Sequence, residues 1–288
     1  MAVFIDGRGL STAQMQALTR EMNYSESTFV LPPETPGTDA RVRIFTPAME
    51  MPMAGHPTVG TAAVLVSQGL ARPRDGALVL ELNIGPVQVE VEAAPRAGRL
   101  PFVWMNHRAP EFGPLRADRA AVANALGLSV EDLVADLPLE VVSTGVPFLF
   151  VPLISLEAIG RARSEAGALR SFFAGTESAH VGMFTRLGSG MQSVTGVDFH
   201  ARMFSPHMAG IVEDPATGSM AAPLGAYAAK YGLLPNRPEV SFTIEQGLEM
   251  GRPSQIFVEV GYENGQFHKL RIGGESVLVG EGDIFWEE

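Results

Sequence analysis

Apolar and polar positions along this chain follow two periods, one helical and one of strict alternation, and they trade places many times. A helical period covers 11–23 (STAQMQALTREMN), with Ser11 as its cap, Gln14 closing a capping box and Leu10 placed to staple onto Met15. Strands follow over 27–31, stopped by Pro32 and Pro33, and over 40–45 (ARVRIF). A Pro- and Met-rich loop leads to a helix over 57–68, closed by Gly69. Strands are expected over 77–82, 87–91 and 102–105, and the Pro-, Gly- and charge-rich stretch 106–115 reads as a domain boundary. Beyond it come helices over 118–126 and 130–133, a strand over 147–153, a helix over 156–166 and strands over 181–185 and 198–204. A small-residue helix over 220–231 stops at Gly232, and strands over 240–245, 255–260, 266–272 and 277–279 finish the chain. Many short strands with few helices place the protein in the mixed α+β class.

The pattern also repeats. Arg43-Ile44-Phe45-Thr46-Pro47 returns as Arg202-Met203-Phe204-Ser205-Pro206 at an offset of 159. Gly55, Ala63, Gly69 and Leu70 return as Gly218, Ala226, Gly232 and Leu233 at an offset of 163, the difference being an insertion around 207–212. Each half therefore reads as strand, Ser/Thr-Pro turn, loop, glycine, Ala-rich helix and Gly-Leu stop. This predicts two pseudo-symmetric domains, 1–106 joined by 275–288, and 107–274.

Composition narrows the function. At 288 residues, 46% hydrophobic and 18% charged, the chain has material for about two domains and is not disordered. Lys and Arg number 21 against 32 Asp and Glu, a net charge of −11, and the cations form no cluster. Nucleic acid and anionic membranes are therefore not expected as partners. The absence of cysteine removes disulfides, thiolate metal sites and thiol nucleophiles together. The stretch 51–71 carries no charge and is long enough to span a bilayer, yet His56, Pro52, Pro57 and three glycines make it a loop and a buried helix. MAVFIDGRGL has no basic region and no sustained apolar run, so it is not a signal peptide, and a cytoplasmic location is expected.

The repeat brings two helix starts into correspondence, Ala54-Gly55-His56-Pro57-Thr58 and Asp214-Pro215-Ala216-Thr217-Gly218-Ser219. Pro57 suits a first helical position and Ser219 a cap. Glycine lets the backbone approach a ligand, and free N–H groups at a helix start attract anions. Two such ends facing each other would hold a small carboxylate without Lys or Arg. Each loop alone reads equally as an ordinary close-packed helix start; the symmetry favours a shared site. Three nearby side chains can exchange protons: Glu26, His56 and Asp214. The helix dipole would lower the His56 pKa and keep the ring neutral, although a structural histidine bonded to a carbonyl fits the pattern equally well. Asp214 follows Glu213, and one of them can be simply solvated. Glu26, at a helix-to-strand turn, is by pattern more often exposed than catalytic. Histidines 107, 180, 200, 207 and 268 show no metal-ligand spacing, and no dinucleotide fingerprint occurs.

Four motifs in order, Asn23-Tyr24-Ser25-Glu26-Ser27-Thr28-Phe29-Val30, Arg43-Ile44-Phe45-Thr46-Pro47, Ala54-Gly55-His56-Pro57-Thr58 and Glu213-Asp214-Pro215-Ala216-Thr217-Gly218-Ser219, resemble the PhzF family of phenazine-biosynthesis-like isomerases. The resemblance implies the diaminopimelate-epimerase-like fold, two α+β domains each with a curled, mostly antiparallel sheet around a central helix. It implies an isomerase without cofactor or metal, commonly a homodimer, acting on a small carboxylate such as trans-2,3-dihydro-3-hydroxyanthranilate. By motif position Glu26 is the acid/base, His56 and Asp214 act beside it, and Gly55, Pro57, Thr58, Thr217, Gly218 and Ser219 contact substrate. Family members usually carry a further strand and a Gly-Asn-Pro segment ahead of the strand at 2–6, so an open edge is expected there.

Without cysteine, the two-thiol racemisation of diaminopimelate epimerase and proline racemase is excluded. A single carboxylate suits removal of a proton and its return to another carbon on the same face, and burial would raise the Glu26 pKa for that task. The rival readings are a non-catalytic binder of small carboxylates on the same scaffold, and an epimerase or tautomerase of an amino-acid derivative.

Overall fold

The computed structural model describes residues 1–93, 99–164, 166–173, 180–187, 198–205 and 212–285. The first half runs β1 (Ala2–Phe4), α1 (Thr12–Met22), β2 (Ser27–Leu31), β3 (Ala40–Phe45), β4 (Glu50–Met51), α2 (Gly55–Ser67), β5 (Ala77–Leu82), β6 (Gly85–Glu92) and β7 (Phe102–Asn106). A connecting stretch holds β8 (Glu111–Leu115), α3 (Arg119–Ala125) and β9 (Glu140–Ser143). The second half runs β10 (Pro147–Pro152), α4 (Leu156–Arg161), α5 (Ala166–Phe173), β11 (His180–Arg186), β12 (Phe199–Phe204) and β13 (Glu213–Asp214). It ends with α6 (Gly218–Lys230), β14 (Glu239–Gln246), β15 (Ser254–Glu263) and β16 (Gln266–Gly274).

The strands form one curled path, β1-β2-β3-β5-β6-β7-β16-β15-β14-β12-β11-β10-β9-β8, with β4 beside β3 and β13 beside β12. The order β1 to β7 corresponds strand for strand to β10 to β16, and every pair keeps its parallel or antiparallel sense. The halves join where β7 and β16 pair antiparallel, Asn106 opposite Arg271 and Val103 opposite Gly274. β1 lies at one open end of the path and β8 at the other.

The repeated Arg-x-Phe has a job in both halves. On β3, Arg43 Nε donates to Glu50 Oε1 at 2.8 Å and the guanidinium lies 5.2 Å from the Phe45 ring centre. On β12, Arg202 Nε donates to Glu213 Oε1 at 2.7 Å and lies 4.9 Å from the Phe204 ring. A cross-strand bidentate pair thus ties each main strand to its short neighbour.

Helices α2 and α6 are apolar on all sides, which fits burial at the centre of a fold rather than at its surface. Ala62, Ala63 and Leu65 of α2 share one core with Met220, Leu224 and Tyr227 of α6 and with inward residues of both halves. Alternation sorts the faces: Phe148 and Phe150 of β10 point to this core, while Leu149 and Val151 point out under α3, α4 and α5. α1 covers the outer face of the first half, Met15 and Leu18 packing on Phe29 and Phe45. Its Ser11–Gln14 capping box forms as expected.

Three element assignments differ from those expected. The helix expected over 156–166 ends at Arg161, because Arg202 Nη1 takes the Ile159 and Ala162 carbonyls at 2.8 and 3.1 Å and the chain turns extended at Ala162. The stretch 106–115 contains β8, and β9 is a strand whose apolar Val141 and Val142 were too brief a signal to read. No strand forms over 277–279, where Val277, Leu278 and Val279 are exposed. The insertion around 207–212 and His207 lie largely or wholly outside the described residues.

Candidate active site

The two corresponding helix starts meet. Neither α2, capped by Ala54, nor α6, capped by Thr217, has a side-chain bond to its first N–H groups. A Cβ placed on Gly55 would lie 2.8 Å from Gly218 Cα and 3.1 Å from Ser219 N. These glycines let the two helices approach one another.

Three titratable side chains converge on that junction. Asn23 takes a left-handed conformation (φ 50) at the end of α1 and turns the chain so that Glu26 enters the interior ahead of β2. Glu26 is 7% exposed, which corrects the pattern-based expectation of a solvated turn residue. His56, the second residue of α2, brings Nε2 to 3.1 Å from Glu26 Oε2. The contact is an ion pair, and buried Oε2 has no hydrogen bond of good geometry. Asp214, at the end of β13, is buried; its Oδ2 accepts from Thr217 Oγ1 at 2.6 Å, while its Oδ1 has no partner.

Burial pulls the His56 pKa down, but the Glu26 carboxylate, with Asp214 behind it, outweighs burial and holds the ring above its ordinary 6.5. Burial pushes Glu26 up most strongly, but the imidazolium, the Ser25 hydroxyl and the Met1 ammonium together pull it below its ordinary 4.5. Asp214 goes the other way: burial, with repulsion from Glu26 added, raises it above 3.8 despite the pull of His56. Both sequence-based expectations, a neutral His56 and a raised Glu26, are corrected. At His56 two neighbouring carboxylates, Glu26 at 3.1 Å and Asp214 beyond it, together outweigh burial. The carboxyl held toward its neutral form is Asp214.

The remaining candidates divide. Ser219 is half-buried beside Gly55, and its hydroxyl makes no hydrogen bond among the described residues. Thr58 is fully buried and its hydroxyl donates to Ala54 O at 2.6 Å, so it fixes the start of α2. Thr217 organises its own loop, and Pro57 is buried in the first turn of α2. Gln246 was missed. It is fully buried, donates through Nε2 to Asp214 O (2.6 Å) and Thr217 Oγ1 (2.9 Å), and accepts from Thr217 N at 3.1 Å. The available signal was a polar side chain on the inward face of β14, in line with Phe242 and Ile244. One donor atom from each of Glu26, His56 and Asp214 lies within 4.8 Å of the others, near enough to share a cation. Metal binding would require His56 to give up its proton and Asp214 to ionise. A cavity of about 320 Å³ reaches the cluster at His56, lined also by Met1, Ser25, Pro215, Ala216 and Arg252 among others.

No helix among the described residues is long and apolar enough to cross a membrane. The family model for phenazine biosynthesis-like proteins (PhzC-PhzF) matches residues 1–282. An uncharacterized isomerase of Mesorhizobium japonicum is 40% identical over 292 aligned residues, covering 99% of this chain and 93% of its own. The trans-2,3-dihydro-3-hydroxyanthranilate isomerase of Pseudomonas fluorescens is 36% identical over 284, covering 99% and 92%. The crystal structure of a Bacillus anthracis phenazine biosynthesis protein of the PhzF family superposes with a TM-score of 0.86 at 28% identity, covering 99% and 92%. With its paired half-barrels in the diaminopimelate-epimerase-like arrangement and relatives matched from end to end, this chain belongs to the phenazine biosynthesis-like family and is an isomerase.

Proposed function

We propose that the chain moves a proton between two carbons of a small cyclic carboxylate, trans-2,3-dihydro-3-hydroxyanthranilate or an analogue, with Glu26 as the acid/base and with no cofactor. The observation that carries this reading is the buried Glu26 Oε2, 3.1 Å from Nε2 of His56, whose ring lines the cavity. In the resting site His56 keeps Glu26 ionised and ready to accept. Substrate entry expels water and acts on Glu26 in the direction burial already does, raising its proton affinity. Glu26 removes a proton from one carbon, the electron pair shifts through the adjoining double bond, and the new O–H of Glu26 returns the proton to the second carbon. The double bond moves and nothing is gained or lost. General acid–base action of this kind contributes about 10²–10⁴-fold. The Asp214 carboxyl, the His56 ring and Ser219 would donate to charge developing on the substrate, one well-placed donor contributing about 3–4 kcal/mol.

The function is tested by proton NMR of trans-2,3-dihydro-3-hydroxyanthranilate with the protein in D₂O, beside Glu26→Gln. Loss of substrate signals with deuterium in the product, absent with the variant, supports both reaction and base. Full turnover by Glu26→Gln would sink the assignment of the base. Deuterium entering one carbon without movement of the double bond would favour the epimerase or tautomerase reading, and binding without exchange the non-catalytic one. The reading includes a homodimer in the cytoplasm, its assembly checked by light scattering.

A further inference from the structure

The repeat relates one more pair of residues. Arg41 of β3 and His200 of β12 stand at the same offset of 159 that relates Arg43 to Arg202. Each is registered with a glutamate on the neighbouring parallel strand, Arg41 with Glu81 and His200 with Glu245. In the first half Arg41 Nη1 lies 3.1 Å from Glu81 Oε1, and a guanidinium keeps its charge at any ordinary pH. In the second half the cation is a histidine, the side chain whose charge changes near neutral pH.

His200 is 2% exposed and both its ring nitrogens meet carboxylates. Nδ1 is 2.9 Å from Glu245 Oε1 and Nε2 is 2.8 Å from Glu249 Oε1. A neutral imidazole has one N–H and can serve one of them, whereas the imidazolium donates to both. Burial pulls the ring down, and Glu249 and Glu245 outweigh it, holding the pKa above its ordinary 6.5. Arg202 on the same strand lies 3.9 Å from Glu249 Oε2 and is paired with Glu213 of β13. β11 sets the uncharged Thr185 in register with His200, and α4 offers the Ile159 and Ala162 carbonyls, which Arg202 takes.

This cluster brackets the support of the Asp214 loop. Glu245 and Glu249 lie on either side of Gln246 and Gly247. Gln246 bonds Asp214 O and Thr217 N, and a Cβ on left-handed Gly247 would lie 2.8 Å from Pro215 O. Glu213, next to Asp214, is held from the same side by Arg202 Nε at 2.7 Å. In the first half Leu82 follows Glu81 where Gln246 follows Glu245. The permanent pair thus has an apolar neighbour, and the titratable pair has the residue that fixes Asp214.

We propose that His200 is a positioning residue: its imidazolium clamps Glu245 and Glu249 around the Gly247 turn and so fixes the Asp214 loop, which its deprotonation loosens. The hold on the loop is independent of the reaction, whereas its effect on turnover rests on the proposed function. With the ring held above 6.5, the clamp is complete below that value and is lost as pH rises through the folded pKa.

The test is amide exchange of the peptide 213–219, read by mass spectrometry on the full chain from about pH 5 to about pH 10. Wild type, His200→Gln, His200→Arg and Glu249→Gln are compared at equal pH, so that intrinsic exchange and the titration of His56 are common to all. The His200 ring is followed by proton NMR, its signal assigned by its absence in His200→Gln. At the acid end His200→Gln should exchange about tenfold faster than wild type, and His200→Arg should match wild type. As the ring titrates, wild type should approach His200→Gln while His200→Arg keeps its protection. Glu249→Gln preserves shape and removes one carboxylate, so both the ring titration and the loosening should move together to lower pH. In turnover, His200→Gln should lower kcat more than it raises KM. A ring that keeps one charge state throughout, or a loop whose exchange relative to His200→Arg ignores the ring's titration, would overturn the proposal. A loss in His200→Gln that His200→Arg does not restore, with the Glu249→Gln midpoint unmoved, would overturn it in favour of a packing role. The expected exchange pattern in a protein that turns over no substrate would leave the clamp standing and count against the reaction alone.

Discussion

Gly55→Ala adds a single methyl group where the two central helices meet. Its carbon would stand 2.8 Å from Gly218 Cα and 3.1 Å from Ser219 N, both backbone atoms that no rotamer change can move. Carbon contacts settle near 3.5–4.0 Å, so the ends of α2 and α6 must part by about 1 Å. Gly55 does not use a left-handed conformation, so helix propensity alone would make alanine more favourable by about 1 kcal/mol. Overpacking costs about 1–3 kcal/mol and opposes that gain. The expected balance is a loss of about 1 kcal/mol and a melting temperature lower by a few degrees. Activity should suffer more. His56 follows Gly55 directly and Ser219 faces it, and a displacement of about 1 Å at a reacting centre costs on the order of 100-fold. Gly60→Ala is the control on the same helix, since its Cβ would meet the flexible Met1 side chain at 2.7 Å. Turnover and thermal melts of the two variants decide the matter. Wild-type turnover by Gly55→Ala, with a melting temperature no lower than that of Gly60→Ala, would refute the tight helix junction and its part in the site.

The charge pattern predicts a stability window. Glu26, held below 4.5, contributes stability that is complete above that value and is lost as pH falls through its folded pKa. His56, held above 6.5, contributes fully below that value and loses its contribution as pH rises through its folded pKa. The pair is therefore most stabilising between 4.5 and 6.5, while Asp214, held above 3.8, opposes it with a contribution that falls as pH rises from 3.8 through its folded pKa. Urea melts of wild type and His56→Gln from about pH 3 to about pH 9 check this, and superimposable pH profiles would contradict it. Gln246→Leu leaves Thr217 N–H and the Asp214 carbonyl unpaired in the interior, a loss of about 3 kcal/mol with lowered kcat. A folded variant with full kcat and an unchanged urea midpoint would show that the Asp214 loop keeps its position without Gln246.

Much of this protein was legible in its linear pattern because the signals are local. Periodicity and capping chemistry act within a few residues, so α1 with its Ser11–Gln14 box and β2 over Ser27–Leu31 were readable directly. The Arg-x-Phe repeat and the paired glycines disclosed the internal symmetry, and the four motifs together carried the family. Distance between side chains is not local. That Gly55 meets Gly218, that Glu26 is drawn inward at Asn23, and that His56 stops 3.1 Å from it follow from how two half-barrels dock. The protonation pattern depends on those distances, because a charge acts by proximity and burial together, and neither is written in residue order. Gln246, distant in sequence from the motifs, reaches the site only because β14 packs against the loop that carries Asp214. Chain chemistry determined which groups were available for catalysis, and only the docking of the two halves decided which of them meet and in what charge state.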